Sequence, residues 1–325
     1  MELQEFLILG AWSRFSVYSL GLLLFGYFSC KYASDIVAKS RISGGFMGVF
    51  FLAIATSAPE IITASVAVST GFFDLAIGDI CGSLLINLFI LITLDLFCRR
   101  SFLKKELLSG NLALVFILQL ILLAAIFMRS VLNVRMEFLG FGFENFLIIL
   151  FYLFFLKREK SISCLDDSKP EKREEVIKHI FRWVVFIVFL CAIAVFGRLI
   201  VSESKIIVQE SGLNDVFFGT LFLGFVTSLP ELVVTVSAVF NGAWAMAVGN
   251  IIGSNAIDVA IVPILEMLTP HAPILSMVSI THVVSLCFLE IAVILLFILI
   301  RVKRFVKLYE VFIVLLLIIP LLVIF

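Results

Sequence analysis

Ten stretches of roughly 20 mostly apolar residues fill this chain, and in lipid such stretches can be little but helices. They lie at about 6–28, 44–70, 74–97, 107–128, 137–156, 181–201, 215–240, 244–268, 276–300 and 306–325. Hydrocarbon offers no water to a backbone N–H or C=O, and a helix satisfies these groups within one segment. Composition agrees, since 62% of the 325 residues are hydrophobic and only 15% are charged. The expectation is an all-α membrane protein of ten transmembrane helices. Zero formal net charge argues against a nucleic-acid partner. The six cysteines are scattered, with no CxxC or Cys/His spacing, so neither a disulfide framework nor a zinc site is indicated. The start, Met1-Glu2-Leu3-Gln4-Glu5, lacks the basic residues of a signal peptide, so the first apolar stretch is expected to be a retained helix.

Lysine and arginine set the orientation. With ten spans, the loops on one side collect Lys31, Lys39 and Arg41, then Arg99, Arg100, Lys104 and Lys105, then eight residues in 157–182, then Arg301, Lys303, Arg304 and Lys307. The other side has Arg14, Arg129, Arg135, Arg198 and Lys205. The basic side is expected to be cytoplasmic, with both termini extracytoplasmic and the plasma (inner) membrane as the location. The charged segment 157–180 contains Pro170 and is expected to be a solvated cytoplasmic linker between a first half, 1–156, and a second half, 181–325.

The halves share a motif. Thr56-Ser57-Ala58-Pro59-Glu60 is followed by Gly78-Asp79-Ile80-Cys81-Gly82-Ser83 and Asn87. Thr227-Ser228-Leu229-Pro230-Glu231 is followed by Gly249-Asn250-Ile251-Ile252-Gly253-Ser254 and Asp258, every element at one constant offset. Five spans separate the copies, and five is odd, so they enter the membrane from opposite sides. That is an inverted repeat, the plan of many secondary transporters, which bind substrate near the midplane on interrupted helices. Pro59 and Pro230 supply the interruptions by removing a backbone donor.

Each copy places a carboxylate inside an apolar stretch without a counter-ion. No Lys or Arg occurs between Arg41 and Arg99, or between Lys205 and Arg301. A lone ionised acid at the bilayer centre costs a few kcal/mol or more. Glu60, Glu231 and Asp258 are therefore protonated or neutralised by cations. Thr56, Ser57 and Glu60 would share a helical face, as would Thr227, Ser228 and Glu231. Ser83 with Asn87, and Ser254 with Asp258, make a second oxygen-bearing face. Hydroxyl, amide, carboxylate and carbonyl oxygens are hard ligands that suit calcium and sodium. The Gly78/Gly82 and Gly249/Gly253 pairs read as close helix packing before ligation.

At these residues the chain resembles the sodium/calcium exchanger family of cation/calcium antiporters, whose paired alpha-repeats correspond to about 44–97 and 215–268. The resemblance implies that Glu60 and Glu231 are the main cation ligands and that Asn87 and Asp258 complete the cluster. It implies that Thr56 and Thr227 give carbonyls to calcium, and that Ser57, Ser228, Ser83 and Ser254 serve sodium. The Asn/Asp pair at 87 and 258 looks like the potassium-independent branch. Asn250 follows the family pattern after the first Gly of Gly-x-x-x-Gly-Ser, whereas Asp79 departs from it. Asp79 is a fourth acid near the site, a proton carrier, or a helix cap on backbone amides, the cap being favoured.

The resulting expectation is a secondary antiporter that exchanges calcium for sodium by alternating access. It uses no cofactor and implies no protein partner, only its ions and the lipid bilayer. The alternative is calcium, or another cation, against protons. An intramembrane enzyme is disfavoured, because Gly-x-Ser-x-Gly and His-Glu-x-x-His are absent and none of His179, His271 and His282 falls in a repeat.

Overall fold

A computed structural model of the chain describes residues 2–39, 53–97, 111–130, 132, 137–138, 141–163, 176–242, 244–269, 274–301 and 307–324. Its elements in order are α1 (Glu2–Lys39), α2 (Ala58–Ser69), α3 (Phe73–Phe97), α4 (Asn111–Ser130), a two-residue hairpin β1 (Glu137–Phe138) and β2 (Phe141–Gly142), and α5 (Phe143–Ser163). Then come α6 (Val176–Ser211), α7 (Asp215–Phe218), a π-helical stretch Gly219–Leu223, α8 (Gly224–Thr227), α9 (Leu229–Phe240), α10 (Trp244–Met267), a 3₁₀ turn Ile274–Ser276, α11 (Thr281–Arg301) and α12 (Lys307–Ile324).

Among the described residues six helices are long and apolar enough to cross a membrane, or seven if the bent pair α7–α8 and α9 is one span. Ten were expected. The start of the expected span 44–70 lies outside the described residues, leaving α2, only 12 residues long. The expected span 137–156 is displaced, because the hairpin occupies its first residues and α5 runs on to Ser163. The supposed linker is thus partly helix, at Lys157–Ser163 and from Val176; residues 164–175 lie outside the described residues. Lys, Arg and Glu are good helix formers, so a spanning helix continues into water with little penalty. The same reason extends α1 to 38 residues and α6 to 36, far beyond the roughly 20 that lipid requires.

The broken helix follows from its sequence. Asn214 caps α7 by accepting the Val216 N–H at 2.8 Å. Pro230 has no N–H to give the Val226 carbonyl four residues back, and its ring crowds the preceding turn. Ser228 accordingly leaves helical geometry (φ −80°, ψ 3°), and the axis turns by 46° before α9. Pro59 acts in the same way: a helical turn at residues 53–56 stops at Ser57 (φ −80°, ψ 7°), and α2 begins at Ala58. Both short helices end alike, at Gly71 (φ 82°) and Gly242 (φ 73°), in the left-handed conformation that favours glycine after a helix.

Burial sorts the helices into two kinds. In α3, Leu75, Ala76, Ile77, Ile80, Leu84, Leu91 and Ile92 are fully or nearly fully buried. They occupy all its faces, the pattern of a helix enclosed by others. It crosses the π-helical stretch and the start of α8 at glycine: Gly224 stands so close that a Cβ there would lie 2.9 Å from the Gly82 Cα, and one on Gly78 would lie 3.1 Å from Gly219. Gly78 and Gly82 are thus packing positions. By contrast, α1 and α6 lie along each other through ring contacts such as Phe28–Phe189 (5.6 Å, stacked) and Phe25–Phe196 (5.3 Å). Their outer faces leave Leu9, Leu20, Val188 and Val195 exposed, as a lipid-facing surface does.

Candidate cation site

Every residue singled out from the motif is buried: Thr56, Ser57, Glu60, Asp79, Ser83, Asn87, Thr227, Ser228, Glu231, Ser254 and Asp258. The two breaks bring Glu60 and Glu231 together, each at the first turn after a proline. The motif's other polar residues project from α3 and α10. Because the helix stops at Ser57 and again at Ser228, the hydroxyls before each break do not share a face with their own Glu, as an unbroken helix would require. They reach across to the other copy instead.

That exchange is reciprocal. Ser57 Oγ donates to Glu231 Oε1 (3.3 Å), and Ser228 Oγ donates to Glu60 Oε1 (3.4 Å). Within each copy, Ser83 Oγ donates to Glu60 Oε1 (3.5 Å) and Ser254 Oγ to Glu231 Oε1 (3.1 Å). Thr56 Oγ1 stands 3.1 Å from Ser254 Oγ, and Thr227 Oγ1 stands 3.5 Å from Ser83 Oγ. Each carboxylate therefore takes one hydroxyl from its own half and one from the other, both on Oε1.

The remaining oxygens have no partner. Glu60 Oε2, Glu231 Oε2, Asn87 Oδ1 and both carboxylate oxygens of Asp258 are buried without a hydrogen bond. Such groups carry a desolvation cost of about 1–3 kcal/mol each, more when charged. Glu60, Glu231, Asp258 and Asp79 are near enough to interact electrostatically. Acids toward the helix ends are treated differently. Arg129 pairs with Glu144 (2.5 Å) and faces Glu266 (3.6 Å), Arg14 pairs with Glu203 (2.9 Å), and Asp74 meets His282 (3.0 Å). Among the described residues no group of three or more His, Cys, Asp or Glu could hold a metal by itself. Any cation here would have to be shared by carboxylates interleaved with hydroxyl and amide oxygens.

The copies differ at two places. Asp79 lies inside α3, not at its start, and accepts from Thr63 Oγ1 (2.5 Å) and Thr227 Oγ1 (2.9 Å). This corrects the helix-cap expectation: a residue seven positions into the chain of α3 faces amides already used by the helix, so it turns to hydroxyls of neighbouring segments. Asn250, its counterpart, donates to Thr235 Oγ1 (3.1 Å) and to the Glu231 carbonyl (3.5 Å). At the other place, Asn87 Nδ2 donates to Asn255 Oδ1 (2.9 Å), while Asp258 has no such partner. Thr63, Thr235 and Asn255 received no role from sequence. Asn255 had a signal, since it follows Gly253-Ser254 where the first copy has Leu84.

The family model for the sodium/calcium exchanger protein matches residues 11–157 and 181–325, and the chain belongs to that family. It is a family of membrane transporters of the cation/calcium antiporter type, and this chain is a multi-pass member. An uncharacterized membrane protein of Methanocaldococcus jannaschii is 28% identical over 267 residues, covering 79% of this chain and 84% of its own. The inner membrane protein YrbG of Escherichia coli is 28% identical over 254 residues, covering 75% and 76%. The solved structure of the sodium-calcium exchanger NCX_Mj superposes with a TM-score of 0.60 at 23% identity, covering 93% of this chain and 97% of that one.

Proposed function

We propose that this protein exchanges calcium for sodium across the plasma (inner) membrane by alternating access. The observation that carries the reading is the set of partnerless carboxylate and amide oxygens on Glu60, Glu231, Asp258 and Asn87, gathered where no basic side chain occurs in either repeat. Calcium is the cargo that fits: hard, divalent and suited to carboxylate, hydroxyl and carbonyl oxygens. Glu60 and Glu231 hold it from opposite sides, with Asp258 and Asn87 at the flank and carbonyls of Thr56 and Thr227 beside them. Ser57, Ser228, Ser83 and Ser254 serve sodium, so that the two ions compete for overlapping oxygens. An empty cluster is costly to bury, so the carrier changes sides only when loaded.

The scaffold in this reading is ten helices in two inverted five-helix halves, joined by a charged cytoplasmic segment, with both termini outside. The correspondence of α2 with α9, both 12 residues, both preceded by a serine break and followed by a left-handed glycine, supports it. Glycines at α1 and α6 support movement of those two helices against the broken ones. A Cβ on Gly26 would meet Pro230, and one on Gly197 would meet Ile62.

Calcium against protons is the second reading, and Asp79 favours it. A line of hydroxyls, Thr227 then Ser83, connects Asp79 to Glu60. Calcium-45 uptake into proteoliposomes under imposed sodium, potassium and proton gradients in turn separates the two. Uptake driven by a sodium gradient is the expected result; uptake driven by a pH gradient alone would transfer the assignment to protons.

A further inference from the structure

One buried acid lies outside all of this. Glu290 sits in the middle of α11, is 3% exposed, and has no hydrogen bond to either carboxylate oxygen. The lipid-facing stripe of α11 is Cys287, Ile291, Ile294 and Ile298. Glu290 borders that stripe but is itself buried, one turn from Leu286 and Val293 on the face where α11 packs on α3, α4 and α12.

Contacts at the end of α11 fix its depth. Asp74, near the start of α3, meets His282 near the start of α11. Both helices run inward from there, so Glu290 lies eight residues, about 12 Å, along α11. That is level with Gly82 and Ser83 on α3, the depth of the cation cluster. Ser130 at the end of α4 bonds the Val278 carbonyl, and the same counting puts buried Gln119 of α4 beside this level.

Other ionisable groups on the packed elements are engaged or displaced. On α3, Asp74 is held by His282 and Ser279, Asp79 by Thr63 and Thr227, and Asp95 makes an interaction of its own near the far end; Cys81 is a buried thiol. Arg129 is the sole ionisable residue of α4 and pairs with Glu144. On α12, Lys307, Tyr309 and Glu310 fall in the first turn. On α11 itself, Arg301 is the last residue, three turns along, His282 is two turns back, and the Cys287 thiol lies close enough to interact electrostatically with Glu290. Among the described residues no side chain bonds the carboxyl, and a lone ionised acid at this depth costs a few kcal/mol or more.

We propose that Glu290 is a proton-binding site of its own, separate from the cation cluster, carrying its proton at mid-membrane between α11, α3 and α4. The proton lets a carboxyl pack among leucines. Without it the charge needs water or a cation, so this face must open. Asp79 is not required, and neither is the sodium/calcium reading.

An apolar carbodiimide, N,N′-dicyclohexylcarbodiimide, tests this. The acid O–H adds across the carbodiimide C=N, its proton passing to nitrogen, and the adduct rearranges to a stable N-acylurea that peptide mass spectrometry locates. The expected result for the full-length protein in liposomes is an adduct on Glu290 that saturating calcium or sodium leaves in place and that is lost between about pH 6 and about pH 9. No adduct at acid pH, or one that persists unchanged across that range, would overturn the proposal. So would protection by calcium or by sodium, which would make Glu290 part of the cation site. In parallel, E290Q should remove part of any alkaline loss of calcium flux; an identical alkaline profile in E290Q and wild type would count against the site. The label is read without transport, so its failure is distinct from failure of the exchange reading.

Discussion

The two copies of the motif are alike in backbone and unlike in charge. Around Ser57 and Ser228 the break has the same dihedrals, the same proline two residues on and the same reciprocal hydroxyl contacts. Further along, on α3 and α10, Asp79 stands where the second copy has Asn250, and Asn87 stands where it has Asp258. Shared geometry builds a place where two carboxylates meet. The swapped residues keep the acid count at two per copy of the motif while moving the second acid: in the first copy it is bound by two threonines, and in the second it is left without a partner. In the proposed exchange, symmetry brings the two glutamates together and asymmetry sets which ions they prefer.

Breaking the shared part should have the largest effect. Glu60→Gln and Glu231→Gln each keep side-chain size and remove a charge, leaving the opposing acid without its half of the cation. A buried charge partner is worth about 3–5 kcal/mol, so calcium affinity should fall by roughly a hundredfold or more in each, measured as calcium-45 uptake against calcium concentration. Equal losses would uphold the symmetry, and a large loss in one alone would break it.

Next in size is the helix crossing that holds the copies together. A Cβ at Gly82 would run into the Thr220 carbonyl oxygen, and overpacking of this kind costs about 1–3 kcal/mol. Gly82→Ala should lower the thermal midpoint of the purified protein. Gly71→Ala, at a left-handed turn with open space around it, should cost about 1 kcal/mol and leave ion affinity alone.

The swapped positions come last and sharpen the comparison. Asp258→Asn makes the two flanks alike and should weaken calcium binding by about tenfold, near 1.4 kcal/mol. Adding Asn87→Asp to that variant restores the charge on the other side and should recover part of it. Asp79→Asn replaces one of the two oxygens that accept from Thr63 and Thr227 by an amide donor, losing one bond worth about 1 kcal/mol. It should change the relative affinities for calcium and sodium more than the maximal rate.

Much of this was legible because lipid makes a few residue types expensive. Pro59, Pro230, Glu60 and Glu231 stand out in an apolar chain whatever the fold, and the helices that carry them start and stop where proline and glycine require. Three things were not legible. Helices α1 and α6 outrun the bilayer, because hydropathy reports where lipid ends and not where helix ends. Asp79 reads as a cap until Thr63 and Thr227 are seen around it, since hydroxyl partners from other segments have no periodicity. Glu290 lies in the same Lys- and Arg-free stretch as Asp258 but in no repeated motif, and so drew no notice.

The central claim is a single site made jointly by both copies, and direct calcium titration of the purified protein tests it most simply. One saturable site in the wild type, lost in Glu60→Gln and lost again in Glu231→Gln, is the predicted result. Two sites, of which each substitution removes only its own, would contradict it.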